Sequence, residues 1–286
     1  MSTARLMFLT MTAMIAFAAN SLLCRFALRT TPIDAASFAA IRLVSGALAL
    51  WLIVALRSGA SGKPTAGGNW RSALALFVYA AAFSFAYAGL PTGTGALLLF
   101  GAVQATMMVA GWLDGERLSL RQGGGFALAV AGLVAIMLPG LSAPPLGGAL
   151  LMLLAGIAWG VYSLCGRGVP DAAAATAGNF MRAAWLALGL SLVMALLSEL
   201  RPDATGVLYA VLSGAIASGL GYVVWFAAIR GLSTPAAATV QLSVPVIAAA
   251  GGIVFLQEPI TLRLLLSSLA ILGGIALVVL SKRRAG

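Results

Sequence analysis

Ten apolar stretches, each long enough to cross a bilayer, take up nearly all of this chain, and the last five echo the first five. A crossing needs roughly 20 mostly apolar residues to cover the ~30 Å hydrocarbon core. Without water to satisfy peptide groups there, such stretches must be helical. The spans read as 6–26, 35–56, 72–90, 92–112, 122–139, 146–165, 175–198, 205–229, 234–256 and 262–281. Hydrophobic residues make up 62% of the chain and charged residues 8%, and the mean hydropathy is +1.05, far from the values of soluble domains. The first span is too long for a cleaved leader and nine further spans follow it. The expected fold is all-α and membrane-integral: ten transmembrane helices in one membrane domain.

At an offset of 142 the halves register without gaps. Gly89-Leu90 falls on Gly231-Leu232, Thr92 on Thr234, Glu116 on Glu258, Arg121 on Arg263 and Gly132 on Gly274. At offsets of 140 to 141, Arg42 matches Arg182 and Cys24 matches Cys165. Five spans per half is an odd number, so the second copy enters the membrane upside down. Residues 1–140 and 141–286 are therefore expected to be two inverted five-helix repeats, an arrangement that gives a carrier two nearly equivalent packings.

The formal net charge of +10 does not mark a nucleic-acid partner, because its distribution is topological. With the N-terminus inside, Arg5, Arg57, Lys63, Arg71, Arg117, Arg121, Arg167, Arg230, Lys282, Arg283 and Arg284 fall on the inner side, and Arg25, Arg29, Arg201 and Arg263 on the outer. That asymmetry places both termini in the cytoplasm of a multi-pass inner-membrane protein. Cys24 and Cys165 end spans 1 and 6 on opposite faces, which argues against a disulfide between them.

The segments Gly115-Glu116-Arg117-Leu118-Ser119-Leu120-Arg121 and Gln257-Glu258-Pro259-Ile260-Thr261-Leu262-Arg263 resemble the glutamate-bearing turns after spans 4 and 9 of EamA-type carriers in the drug/metabolite transporter superfamily. The resemblance covers essentially the whole chain, and the sequence looks most like YddG-type amino-acid exporters. It implies export of amino acids or similar small metabolites. Physically, Glu116 and Glu258 are expected to cap the helix that follows each of them. Arg121 and Arg263 are then expected to pair with carboxylates or lipid phosphates.

The acids Asp34, Asp114, Glu116, Asp171, Glu199, Asp203 and Glu258 all fall in loops or at span ends, and histidine is absent. Arg42 and Arg182 lie within the starts of spans 2 and 7. The path is therefore expected to consist of neutral polar and aromatic groups, with no cofactor, no metal site, and no nucleophile–base pair of an enzyme. The deep amides Gln104 and Gln241, with Asn20 nearer a span end, can meet both the ammonium and the carboxylate of a zwitterion; hydrogen bonding between helices is the competing role. Tyr79, Phe83 and Tyr87 recur every four residues and share one face of span 3. Trp159 and Tyr162 in span 6, and Tyr222 and Trp225 in span 8, complete a candidate substrate cavity of rings; a lipid-facing belt is the alternative. Trp70 and Trp112 suit the belt. Gly101 and Pro245 are the candidate hinges.

These features describe a carrier working by alternating access at the interface between the halves, its partners a small-molecule substrate and the lipid bilayer. A passive channel for small neutral or zwitterionic solutes, or an efflux carrier with other substrates, are the alternatives, and a monomer is compatible with all of them. The charge asymmetry predicts that single cysteines at positions 63 and 282, in a cysteine-free background, resist an impermeant thiol reagent added to intact cells. A cysteine at position 201 should react. Labelling of 63 or 282 from outside would overturn the topology.

Overall fold

In the computed structural model the residues described are 2–58, 67–113, 115, 119–140, 143–166, 169–197, 200–232 and 240–282. They form ten helices: α1 Thr3–Thr30, α2 Ala35–Ser58, α3 Trp70–Tyr87, α4 Thr92–Leu113, α5 Leu120–Met137, α6 Leu146–Cys165, α7 Ala172–Leu197, α8 Ala204–Ile229, α9 Ser243–Leu256 and α10 Leu262–Lys282. Eight of them are long and apolar enough to cross a membrane. The exceptions among the described residues are α3, whose 18 residues include Arg71, two serines and two tyrosines, and α9, whose described helix is 14 residues long. The turns at Glu116 and the start of span 9 fall outside the described residues.

Local chemistry sets several helix starts. Asn69 accepts from the Ser72 amide at 2.8 Å, Asp203 accepts from the Gly206 amide at 2.9 Å, and Ser119 and Gln122 form a reciprocal capping box on α5. Asp34 caps α2 by accepting the Ser37 amide at 2.8 Å. Its other oxygen accepts the Arg201 amide at 3.1 Å, tying the α1–α2 turn to the loop before α8.

The packing pairs come in matched sets. α5 packs on α10 and α2 on α7; α3 on α6 is matched by α8 on α1, and α4 on α6 by α9 on α1. Exchanging each helix for the one five places later reproduces the list. This is the pattern that two repeats related by a pseudo-two-fold axis would give. The α5–α10 contact is closed by glycines: a methyl on Gly125 would meet the Gly274 carbonyl oxygen at 2.7 Å. Large apolar side chains such as Leu56, Leu196, Trp185 and Phe255 face outward, as lipid contact requires. Trp70 and Trp112 are also exposed, at the ends of α3 and α4 on one face of the bundle.

Helix α8 is not uniform. Leu212–Leu220 winds as a π-helix between α-helical ends. In an α-helix residues five apart point about 140° from one another, whereas π winding brings them back together. Ser213 and Ser218 thereby reach the same acceptor on α1, Asn20 Oδ1, at 2.6 and 3.5 Å. Gly214 permits the approach to α2, since a Cβ there would sit 2.1 Å from the Arg42 carbonyl oxygen.

The Asp34 carboxyl is pushed up by partial burial, but the Ser37 main chain and hydroxyl and the Arg201 amide outweigh this and hold it below the ordinary value of 3.8. Such a group contributes stability above its unfolded pKa and loses it as pH falls through the lowered folded value. Asp34→Ala should therefore destabilise the detergent-purified protein by about 1 kcal/mol at neutral pH. The gap from the parent, read by thermal melting, should close as pH drops below the ordinary carboxylate range. A gap that is constant with pH would contradict the charged cap.

Candidate functional site

The interior is organised by a ring of hydrogen bonds around Arg42, whose side chain is only 1% exposed. Its Nε donates to Ser218 Oγ at 3.3 Å and one terminal nitrogen donates to the Tyr79 hydroxyl at 2.9 Å. Asn20 Nδ2 donates to the same Tyr79 oxygen at 3.2 Å, and Ser218 donates to Asn20 Oδ1, closing the ring. Helices α1, α2, α3 and α8 are thus joined at one level. The guanidinium also lies 5.0 Å from the Tyr79 ring centre and 4.8 Å from that of Phe83, within cation–π range.

The expectation of a path of neutral polar and aromatic groups did not anticipate a buried arginine at this level. Arg42 lies seven residues into α2, where a long side chain could equally reach back toward the membrane surface. Only the packing of α1, α3 and α8 over it decides burial. Arg182, which matches Arg42 at a sequence offset of 140, is used differently, donating to the carbonyls of Gly67 and Gly178 near the start of α7.

Beside the ring lies a small central space, about 10 Å³, walled by Asn20, Tyr79, Phe83, Trp159 and Tyr222 together with Phe17, Ser21, Leu99, Phe100 and Ala217. That is room for about one water molecule. The aromatic rings interlock: Trp159 sits 4.9 Å from both Tyr79 and Tyr222, and Phe17 makes edge contacts with Trp159, Tyr222 and Trp225 at 6.2, 5.9 and 5.8 Å. Phe17 carried no polar or periodic signal in the sequence that set it apart from other apolar residues.

The other sequence candidates lie away from this space. Trp225 is one ring removed, behind Phe17. Tyr87 is buried toward the far end of α3, where its hydroxyl donates to the Thr92 carbonyl at 3.3 Å. Tyr162 stacks on Trp159 at 5.5 Å and lines a second cavity of about 220 Å³ with Asn69, Ser72, Thr176, Asn179 and Phe226. Gln104 is buried on α4 but does not wall any of these cavities, and Gln241 is half-buried before α9. At Gly101 a Cβ would meet Leu133 at 2.8 Å, so this glycine sets how closely α4 approaches its neighbours. Pro245 occupies the first turn of α9, directly after the helical residues Val240 and Gln241 give way to a turn at Leu242.

A third cavity, about 350 Å³, opens at the opposite face between the start of α4, α9 and the α5–α6 connection. Between it and the centre stands a polar latch. Arg25 on α1 pairs with Glu258 at 3.4 Å and donates to the Tyr87 and Ala88 carbonyls; Arg29 donates to the Leu256 carbonyl at 2.6 Å. Glu258 does not cap the following helix as expected: its Oε2 accepts the Thr92 amide at 2.7 Å, capping α4 from the other half. The reason is the left-handed Gln257 (φ 53°), which ends α9 and turns Glu258 back beneath Gly252. Arg263 likewise takes carbonyl partners, Leu138 and Pro139 at the end of α5, rather than a carboxylate. Arg121 is exposed.

Tyr79→Phe should lower the stability of the purified protein by about 1–3 kcal/mol, because Arg42 and Asn20 each lose a buried acceptor. Tyr87→Phe removes one longer bond and should cost less. Equal melting of the two variants would show that the ring contributes nothing.

The family profile described as the EamA-like transporter family matches residues 146–280. A Pseudomonas aeruginosa protein, named only as uncharacterized, is 58% identical over 274 residues, spanning 96% of this chain and 94% of its own length. A protein of known crystal structure superposes with a TM-score of 0.68 over 99% of this chain and 100% of its own, at 19% identity, which bears on the fold alone.

Proposed function

The chain belongs to the EamA-like transporter family, and from that premise we propose that it exports amino acids or similar small metabolites by alternating access through the central space. Family membership makes it a membrane transporter of small molecules rather than an enzyme. The finer reading rests on one observation: a polar, ring-lined centre with room for about one water, lying between larger cavities at opposite faces. Such a centre is an occluded site that must widen to hold a solute.

The matched helix pairs support a division into inverted repeats at residues 140/141, with α3–α4 and α8–α9 rocking against the rest. Breaking the Arg25–Glu258 latch would free α4 and α9 at one face. The Tyr162 cavity provides the way to the other. Both termini lie in the cytoplasm in this reading, the latch closing the outer face. Amino acids fit because the centre offers hydroxyl and amide partners for polar groups beside faces that stack on an apolar side chain.

A carrier, unlike a channel, shows counterflow: unlabelled solute on one side accelerates entry of labelled solute from the other. Proteoliposomes holding the full chain and loaded with an amino-acid mixture should show it. Phe83→Ala and Trp159→Ala should each lower the ratio of bulky to small amino acids carried, by about tenfold if the lost ring contacts the side chain. Trp185→Ala, on the lipid face, should leave the ratio unchanged. Flux without counterflow would favour the channel.

A further inference from the structure

Among the described residues Arg42 and Glu258 are the only buried charged side chains, and Glu258 already has Arg25 beside it. Four other arginines end on formal or partial negative charge: Arg25 and Arg29 on carboxylate and carbonyl oxygens, Arg182 and Arg263 on carbonyls. Arg42 ends on hydroxyls and ring faces. Its Nη1 has no hydrogen-bond partner, and neither has the buried Tyr222 hydroxyl. A membrane-buried cation is ordinarily matched by an opposite charge or by backbone carbonyls. Here that match is missing, next to a space with room for about one water.

We propose that Arg42 is the anion subsite of the transport path and binds the carboxylate of the transported solute. The proposal rests on the transport reading above and narrows its substrate class to molecules bearing a carboxylate, zwitterionic amino acids included. The rings that wall the central space, Tyr79 and Phe83, are those the guanidinium stacks against, so their movement as the site widens uncovers it. Nη1 then donates to a carboxylate oxygen, a charge-assisted bond stronger than those Arg42 now makes to hydroxyls. An amine lacking the carboxylate brings only like charge to this centre and is rejected.

The test pairs acids with their decarboxylated amines: L-phenylalanine with phenethylamine and L-leucine with isoamylamine, with pyruvate and succinate as small carboxylates. Ligand-induced melting shifts are read on the purified full chain, and counterflow in proteoliposomes, for the parent, Arg42→Gln and Arg42→Lys. The parent should bind and carry acids in preference to their amines. Arg42→Gln should reduce that preference at least about tenfold, and Arg42→Lys should retain part of it, keeping the charge but not the planar fork. The lysine variant preserves the test if the glutamine variant does not fold. Equal binding of acid and amine by the parent, an unchanged preference in both variants, or binding of no carboxylate at all would overturn the proposal. Counterflow without acid–amine discrimination sinks the subsite and leaves the transport reading. Discrimination in binding without counterflow does the reverse.

Discussion

Burying a guanidinium in a helix bundle costs several kcal/mol even after the surroundings relax, and the interior of this protein is built around meeting that cost without a carboxylate. Arg42 is held by two hydroxyls and two ring faces drawn from α3 and α8, with Asn20 of α1 locking both hydroxyls in place. The π-wound segment of α8 is part of the same solution. Without it Ser213 and Ser218 would diverge around the helix and only one could reach Asn20. Gly214 then lets α8 lie against the α2 backbone at the level of the arginine.

The two faces are treated differently. At one, charge and hydrogen bonds join halves of the chain far apart in sequence: Arg25 and Glu258 are separated by 233 positions, Glu258 and Thr92 by 166. Because Glu258 serves both partners, both contacts depend on the position of the turn after α9. At the other, Arg182 and Asn179 hold the segment before α3 through its main chain, Asn179 accepting the Asn69 amide at 2.9 Å. Arg42 and Arg182, which match at a sequence offset of 140, thus serve different partners.

The sequence by itself determined the class of fold, because the bilayer leaves few choices: long apolar runs with no water must be helices, and their spacing fixes their number. The aromatic face of α3 was legible as well, since a four-residue recurrence of Tyr79, Phe83 and Tyr87 holds wherever the helix lies. How far along that face the central space extends was not legible. Tyr79 and Phe83 wall it, whereas Tyr87 lies too near the helix end and bonds to the start of α4. Only the tertiary structure decided where charge sits. Arg42 looked like a residue near a span start, and Glu258 like a local cap. The first became the buried centre and the second a clasp between halves, because burial and pairing of a long side chain depend on which helices close over it, and one chain position carries no record of its neighbours across the bundle.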